Sequence, residues 1–242
     1  MPLILGETAT SAHGGCDGLS NTFVAGFTFV YELGSVGEAP GFVQMNRQDL
    51  AGFSSQTEPS NYGLLGAPGW ARGPIGAPHP DYYTALLFKH LASTVVLNSS
   101  VASPDAPAAI ANGFDAHAWC GRVGAGIVIV SFTNLLGTAV NITLPAFSTS
   151  ARRNEYILTS TPTPADAPAP PPSLYNNNVY LNGALLTTNA DGTLPVWPFP
   201  GRSVAADGPG ITVPAWSYGF IELLDAAADG ACTGCAGGAC GA

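Results

Sequence analysis

At 242 residues the chain is long enough for one large or two small domains, and with 46% hydrophobic residues it can bury a sizeable core. Only 10% of its residues are charged and the formal net charge is −9 at pH 7, which argues against nucleic acid and against an anionic membrane surface as partners. The 30 Gly and 21 Pro point to many turns and little long helix, and no apolar run reaches membrane-spanning length.

The first stretch, Met1 to Cys16, carries a short apolar run, Leu3-Ile4-Leu5, then one carboxylate, Glu7, then a small-residue loop closing on Gly14-Gly15. A buried strand that delivers an acid from its C-terminal end into a glycine-rich loop is how α/β barrels present catalytic groups. No basic n-region with a long apolar h-region follows Met1, so a signal peptide is expected only upstream of it. Ser20 to Leu33 reads as a helix, with Ser20 or Asn21 as cap, Phe23, Phe27, Val30 and Tyr31 on one face, and Gly34 at C′. Gly41 to Gln48 reads as a second strand ending in Arg47-Gln48. The long loop from Asp49 to Pro80 carries Tyr62, Trp70 and Arg72, residue types that stack on and hydrogen-bond a sugar ring. A second helix, Tyr82 to Ala92, has Tyr83, Leu86, Leu87, His90 and Leu91 as its stripe, with His90 a core or boundary histidine. Strand, helix, strand, helix is two β/α units, too few for a closed barrel, so the strand edges and inward faces are expected to be exposed.

From Ser93 the texture changes to short β-type runs separated by Gly, Pro and Asn: Thr94–Leu97, Ala116–Cys120, Gly126–Phe132, Val140–Leu144, Asn154–Leu158, Asn178–Leu181 and Gly210–Leu224. That spacing predicts an all-β sandwich. Thr159–Pro172 and Asp191–Gly208 read as surface coil, and residues 226–242 as a low-complexity tail. The expected organisation is therefore α/β plus all-β: 1–92 as the last two β/α units of a (β/α)8 barrel, loosely docked on a β-sandwich over 93–225.

The cysteines are Cys16, Cys120, Cys232, Cys235 and Cys240, an odd number that leaves at least one unpaired or intermolecular. Cys232, Cys235 and Cys240 lie in a Gly/Ala-rich stretch without a fourth ligand nearby, so no metal and no cofactor is expected. Asn98-Ser-Ser and Asn141-Ile-Thr are N-glycosylation sequons.

Several motifs, spread in order over residues 3 to 232, together resemble one family. They are Leu5-Gly-Glu-Thr with His13-Gly-Gly, Leu19 to Phe27, Met45-Asn-Arg-Gln48, Pro80 to Lys89, Tyr180-Leu-Asn-Gly183, Thr193-Leu-Pro195 and Pro214 to Phe220. The chain resembles the C-terminal portion of the heparanase-like endo-β-glucuronidases, glycoside hydrolase family 79. The resemblance implies a (β/α)8 barrel followed by a β-sandwich and hydrolysis with retention, by one glutamate nucleophile and one glutamate proton donor. By position it makes Glu7 the nucleophile and Gly14 and Gly15 the backbone contacts of a substrate carboxylate. It makes Gln48 and Tyr62 the pair that touches the uronate, while His13 stands where the family usually carries a tyrosine. The family's proton donor belongs to an Asn-Glu on an earlier barrel strand, a segment that does not precede Glu7 here. Asn154-Glu155 reads as a chance dipeptide on the sandwich, and Glu32, Glu38, Glu58 and Glu222 have no matching context. The resemblance also implies a disulfide from Cys120 to Cys232, with Cys235 as the other candidate, and hence an extracellular or lysosome-like compartment. The implied partners are a glucuronide and a missing N-terminal barrel segment or subunit, and the chain alone is expected to be inactive. With seven Lys plus Arg, a weakly sulfated glucuronide fits the charge better than heparan sulfate. The rival reading is a non-catalytic carbohydrate-binding or adhesion β-sandwich.

Overall fold

The computed structural model describes residues 1–51, 54–55, 58–66, 76–102, 113–144, 152–163, 169–226, 228 and 230–232. Trp70, Arg72, Cys235 and Cys240 lie outside the described residues, as does most of the tail. The architecture is mixed and sheet-rich, with two α-helices and several sheets. In chain order it begins with β1 (Leu3–Thr8), α1 (Phe23–Glu38) and β2 (Phe42–Arg47), and β1 pairs with β2 in parallel. The short hairpin β3 (Ser54–Ser55) and β4 (Glu58–Pro59) and then α2 (Pro80–Leu91) follow. The strands β5 (Ala92–Leu97), β6 (Phe114–Gly121), β7 (Val128–Asn134), β8 (Val140–Ile142) and β9 (Arg153–Thr159) come next. The last are β10 (Tyr180–Leu181), β11 (Ala184–Leu185), β12 (Arg202–Val204), β13 (Ile211–Val213) and β14 (Ser217–Leu223).

Eight of these strands form one antiparallel sheet in the order β11-β10-β9-β14-β7-β6-β5, with β12 also paired to β9. Both faces of this sheet are covered, so every residue of β7 is buried and the alternation of a half-solvated strand is lost. Trp119, Ile129, Tyr156, Leu158, Tyr218 and Phe220 face the helices and meet Phe23, Phe27, Val30, Tyr83, Leu87 and Leu91. The alternate residues Cys120, Val130, Phe132, Ile157, Ile221 and Leu223 face the other way, onto Ile211 and Val213 of the β8–β13 ribbon. The expectation of loose docking is thus corrected, because α1 and α2 share one buried core with the sheet.

Four local readings are also corrected. Gly34 does not end α1, which continues to Glu38. Gly26, Gly34 and Gly37 instead line the helix face that lies on the sheet, at a spacing that keeps them on one side. An added Cβ would stand 2.1 Å from the Tyr218 hydroxyl, 1.8 Å from the His117 ring and 2.6 Å from Trp119 respectively. Ser20 and Asn21 do not cap the helix, which starts after Thr22; their side chains accept the backbone N–H groups of Cys16 and Gly18 and tighten the loop. The run Gly210–Leu224 is two strands rather than one, broken at Pro214–Trp216, where Trp216 takes φ 51° and Pro214 has no N–H for a ladder. Within the expected coil of Asp191–Gly208, β12 forms because Arg202 reaches the Glu155 carboxylate of β9.

β1 is less buried than a barrel strand would be. Leu3, Ile4 and Val43 are 45%, 57% and 66% exposed, as the small number of β/α units leads one to expect. Cys120 on β6 is bonded to Cys232, 112 residues later, with the two Cα atoms 5.4 Å apart. Cys16 is free and exposed.

Candidate functional site

The C-terminal ends of β1 and β2 open into a cleft of about 390 Å³ lined by Glu7, Thr8, Ala9, Ser11, Ala12, His13, Gln48 and Tyr62. Residues from three separate stretches therefore meet here. Glu7 is exposed near the end of β1. Thr8 points the opposite way, as the next residue of a strand must, and its hydroxyl donates to Glu32 of α1 at 2.9 Å. Burial raises the Glu32 pKa, opposed by that hydroxyl and by Arg47. Glu32 thus sits behind the strand that carries Glu7.

His13, Gly14 and Gly15 all have positive φ, 55°, 86° and 91°. Two glycines suit such a turn because no Cβ meets the backbone, and here there is a packing reason as well. A Cβ on Gly15 would stand 2.9 Å from Ser20 Cβ and 3.1 Å from the Tyr62 nitrogen. The Gly14 carbonyl accepts the Asn61 N–H at 2.6 Å, so the glycine turn and the Tyr62 loop are directly tied. The Gly15 N–H closes the turn on the Ala12 carbonyl at 3.2 Å and is engaged there in this conformation.

Tyr62 donates its phenol to Gln48 Oε1 at 3.0 Å. Its pKa is raised by burial and by the carboxylates of Asp49 and Glu7, with Arg47 opposing. The Glu7 carboxylate thus lies near enough to the Tyr62 phenol to add to that rise. The 61–66 stretch is pinned from below. Arg47 Nη2 donates to the Tyr62 carbonyl at 2.8 Å and to Asp81 Oδ2 at 2.6 Å, and the Arg47 guanidinium lies 5.6 Å from the Phe29 ring centre. Asp81 is fully buried; burial raises its pKa, and the Arg47 charge and hydrogen bond work against that rise. The His79 ring bonds the Gly63 carbonyl at 2.6 Å, and the His79 N–H bonds the Leu64 carbonyl. Burial lowers the His79 pKa to about 4, so the ring is neutral and Nδ1–H is the donor.

Arg47, His79 and Asp81 are the residues that sequence reasoning left without a role. The signal available was a charge at each of two element ends, Arg47 closing β2 and Asp81 opening α2; nothing local says that the two meet. Among the other residues singled out, Glu155 lies 1% exposed in the sheet, where Arg153 Nε reaches Oε1 at 2.7 Å and Arg202 holds Oε2. It does not line the cleft. His90 is a boundary residue stacked on Trp197 at 5.0 Å. Asn98 and Asn141 are exposed, and Asn141 accepts the Thr212 hydroxyl at 2.7 Å. Among the described residues no group of His, Cys, Asp or Glu is arranged to hold a metal, and no helix is long and apolar enough to cross a membrane.

No family model matches the chain. It is similar to heparanase of Gallus gallus, 32% identical over 224 residues, which cover 93% of this chain and 38% of the relative. It is 29% identical to heparanase of Mus musculus over 225 residues, covering 92% and 37%. It is also 29% identical to baicalin-β-D-glucuronidase of Scutellaria baicalensis over 193 residues, covering 79% and 31%. The chain spans about a third of the length of these curated relatives. The chain is heparanase-like, similar to the C-terminal portion of these relatives.

Proposed function

We propose that the chain supplies the nucleophile side of a retaining β-glucuronidase site, with Glu7 as the nucleophile. The observation that carries this reading is the gathering of Glu7, His13, Gln48 and Tyr62 in one cleft at the C-terminal ends of a parallel strand pair. In this reaction Glu7 attacks the anomeric carbon and forms a glycosyl-enzyme. A second carboxyl group, about 5–5.5 Å away in such sites, protonates the leaving oxygen and then takes a proton from the attacking water. That acid comes from outside this chain. Gln48 and Tyr62 hold the uronate, with the Arg47–Asp81 pair keeping Tyr62 in place.

Residues 1–92 act as part of a (β/α)8 barrel and 93–225 as a β-sandwich, with 226–242 as a tail. The exposed apolar side chains of Leu3, Ile4 and Val43 are the surface on which further barrel strands pack. The Cys120–Cys232 bridge fits an oxidising, extracellular or lysosome-like setting, in which Asn98 and Asn141 carry glycans. No Lys or Arg is among the described residues lining the cleft, which favours a glucuronide of low sulfation over a polysulfated chain.

The test uses a leaving group that needs no protonation. A 2-deoxy-2-fluoro-glucuronyl fluoride incubated with the chain should leave one covalent label, mapped by mass spectrometry to Glu7 and absent in Glu7→Gln. A label on another carboxylate sinks the assignment. Separately, turnover of an ordinary aryl β-glucuronide by the chain alone, lost in Glu7→Gln, would show that the acid lies within the chain after all.

A further inference from the structure

The ladder between β1 and β2 is irregular just where it carries Glu7. Leu5 pairs with Met45 and Thr8 with Arg47, so β1 advances three residues while β2 advances two. An extra residue of this kind breaks the regular pleat and re-aims the side chains beside it. Gly6 adds no anchor, since a Cβ there would meet nothing within 4 Å. The direction of Glu7 is therefore set by what fastens the next residue, Thr8. The Thr8 carbonyl accepts the Gln48 N–H at 2.8 Å, and the Thr8 hydroxyl donates to Glu32 Oε1 of α1 at 2.9 Å. Glu32 is half-buried, and its helix is seated on the core by the neighbouring Phe29 and Val30, so the acceptor has a fixed support. Burial disfavours the Glu32 charge, and the Thr8 hydroxyl leads the groups that offset this, ahead of the Arg47 guanidinium. Arg47 in turn holds the Tyr62 carbonyl. Both walls of the cleft, Glu7 through Thr8 and Tyr62 through Arg47, thus lean on one charged cluster behind the strands.

We propose that Glu32 is a positioning residue for the nucleophile: by holding the Thr8 hydroxyl it fixes the irregular end of β1 and aims the Glu7 carboxylate at the anomeric carbon. This role rests on the reading of Glu7 as the nucleophile and adds to it the residue that orients it. Glu32 does not line the cleft and acts only through Thr8. An attacking atom misplaced by about 1 Å costs on the order of a hundredfold in rate, so one hydrogen bond at this point has a measurable effect.

The experiment follows labelling of Glu7 by 2-deoxy-2-fluoro-glucuronyl fluoride over a series of probe concentrations; in this step a Glu7 oxygen–carbon bond forms as fluoride leaves. Glu32→Ala removes the acceptor, and Thr8→Val removes the donor with little change of shape. Each should slow the saturating labelling rate by about ten- to a hundredfold. In Glu32→Ala the probe concentration at half-saturation should stay within about twofold of wild type, because only the attack is misaligned. Glu32→Gln, whose amide oxygen still accepts a hydrogen bond, should label close to the wild-type rate. A residue that only stabilises the fold would instead lower the thermal midpoint and leave the labelling rate of the folded protein unchanged. Wild-type rates in Thr8→Val or in folded Glu32→Ala overturn the role of Glu32 and leave Glu7 as the nucleophile. So does a Glu32→Gln as slow as Thr8→Val, or a change confined to half-saturation. A wild-type chain that is not labelled at Glu7 overturns the nucleophile reading, and the inference with it.

Discussion

His117 Nδ1 lies 3.1 Å from Glu38 Oε1, joining β6 to the last turn of α1, while its Nε2 lies 3.0 Å from Asp115 Oδ2 on its own strand. The Ser99 hydroxyl also donates to Glu38. Burial alone would lower the His117 pKa; the hydrogen bonds and charges of Asp115 and Glu38 overcome this and leave it above the usual histidine value. Asp115 is correspondingly held below the usual carboxylate value, first by its bond to His117.

The sign of the pH effect follows. A histidine whose folded pKa is raised adds stability that is fully present below its unfolded value, near 6.5, and is lost as the pH climbs through the higher folded value. Thermal midpoints should therefore fall from pH 6 towards pH 8 in the wild-type chain. His117→Gln should flatten that decline. An unchanged slope in the variant would show that the ion pair carries no linkage.

Removing the Cys120–Cys232 bridge by Cys120→Ala should cost on the order of 4–5 kcal/mol in the chain-entropy model, given the 112-residue separation. For a chain of this size that lowers the midpoint by about 10 °C. Non-reduced peptide mapping should find Cys120 joined to Cys232; a peptide joining Cys120 to Cys235 instead would contradict the pairing described above.

Gly34→Ala should destabilise by about 1–3 kcal/mol, because the new methyl falls on the His117 ring, 1.8 Å away, in a packed contact. An exposed mid-helix glycine would show the opposite, a gain of up to about 1 kcal/mol from helix propensity. Denaturant melts of the two proteins separate the cases by sign.

Arg47→Met leaves the fully buried Asp81 carboxylate without its partner and should cost about 3–5 kcal/mol at neutral pH. Burial already raises the Asp81 pKa, so without Arg47 the group takes up a proton more readily and the loss should shrink as the pH falls. The double variant Arg47→Met/Asp81→Leu should recover much of the stability. Equal losses in single and double variants would place the cost in the packing of Arg47 over Phe29 instead.

Elements whose cause is local could be read from the sequence. The spacing of Phe23, Phe27 and Val30 and the order strand, helix, strand, helix reflect periodicities within a few turns of chain, and they hold. The Cys120–Cys232 pairing was visible through resemblance rather than through spacing. What could not be read depends on partners far along the chain. Nothing around Gly34 distinguishes a glycine that ends a helix from one that admits His117 of a later strand. Arg202–Val204 becomes a strand because Glu155 waits for Arg202, and the stretch around it has no strand periodicity of its own. In the cleft, Glu7 and Gln48 stand at the ends of recognisable strands. The Arg47–Asp81 pair beneath them joins two segments 34 residues apart and is expressed only in three dimensions.

α1 rests on the sheet through Phe23, Phe27 and Val30 and also through Gly26, Gly34 and Gly37, where Tyr218, His117 and Trp119 come directly against the helix. It also carries Glu32, bonded to the residue next to Glu7. The helix is therefore a stiff lever, its long arm on the sheet and its short arm beside the carboxylate. A substitution that thickens the contact at Gly26, Gly34 or Gly37 would tilt the lever and re-aim Glu7 without touching the cleft. A change in the position of Glu7 can therefore originate on β6 or β14, strands that do not line the cleft.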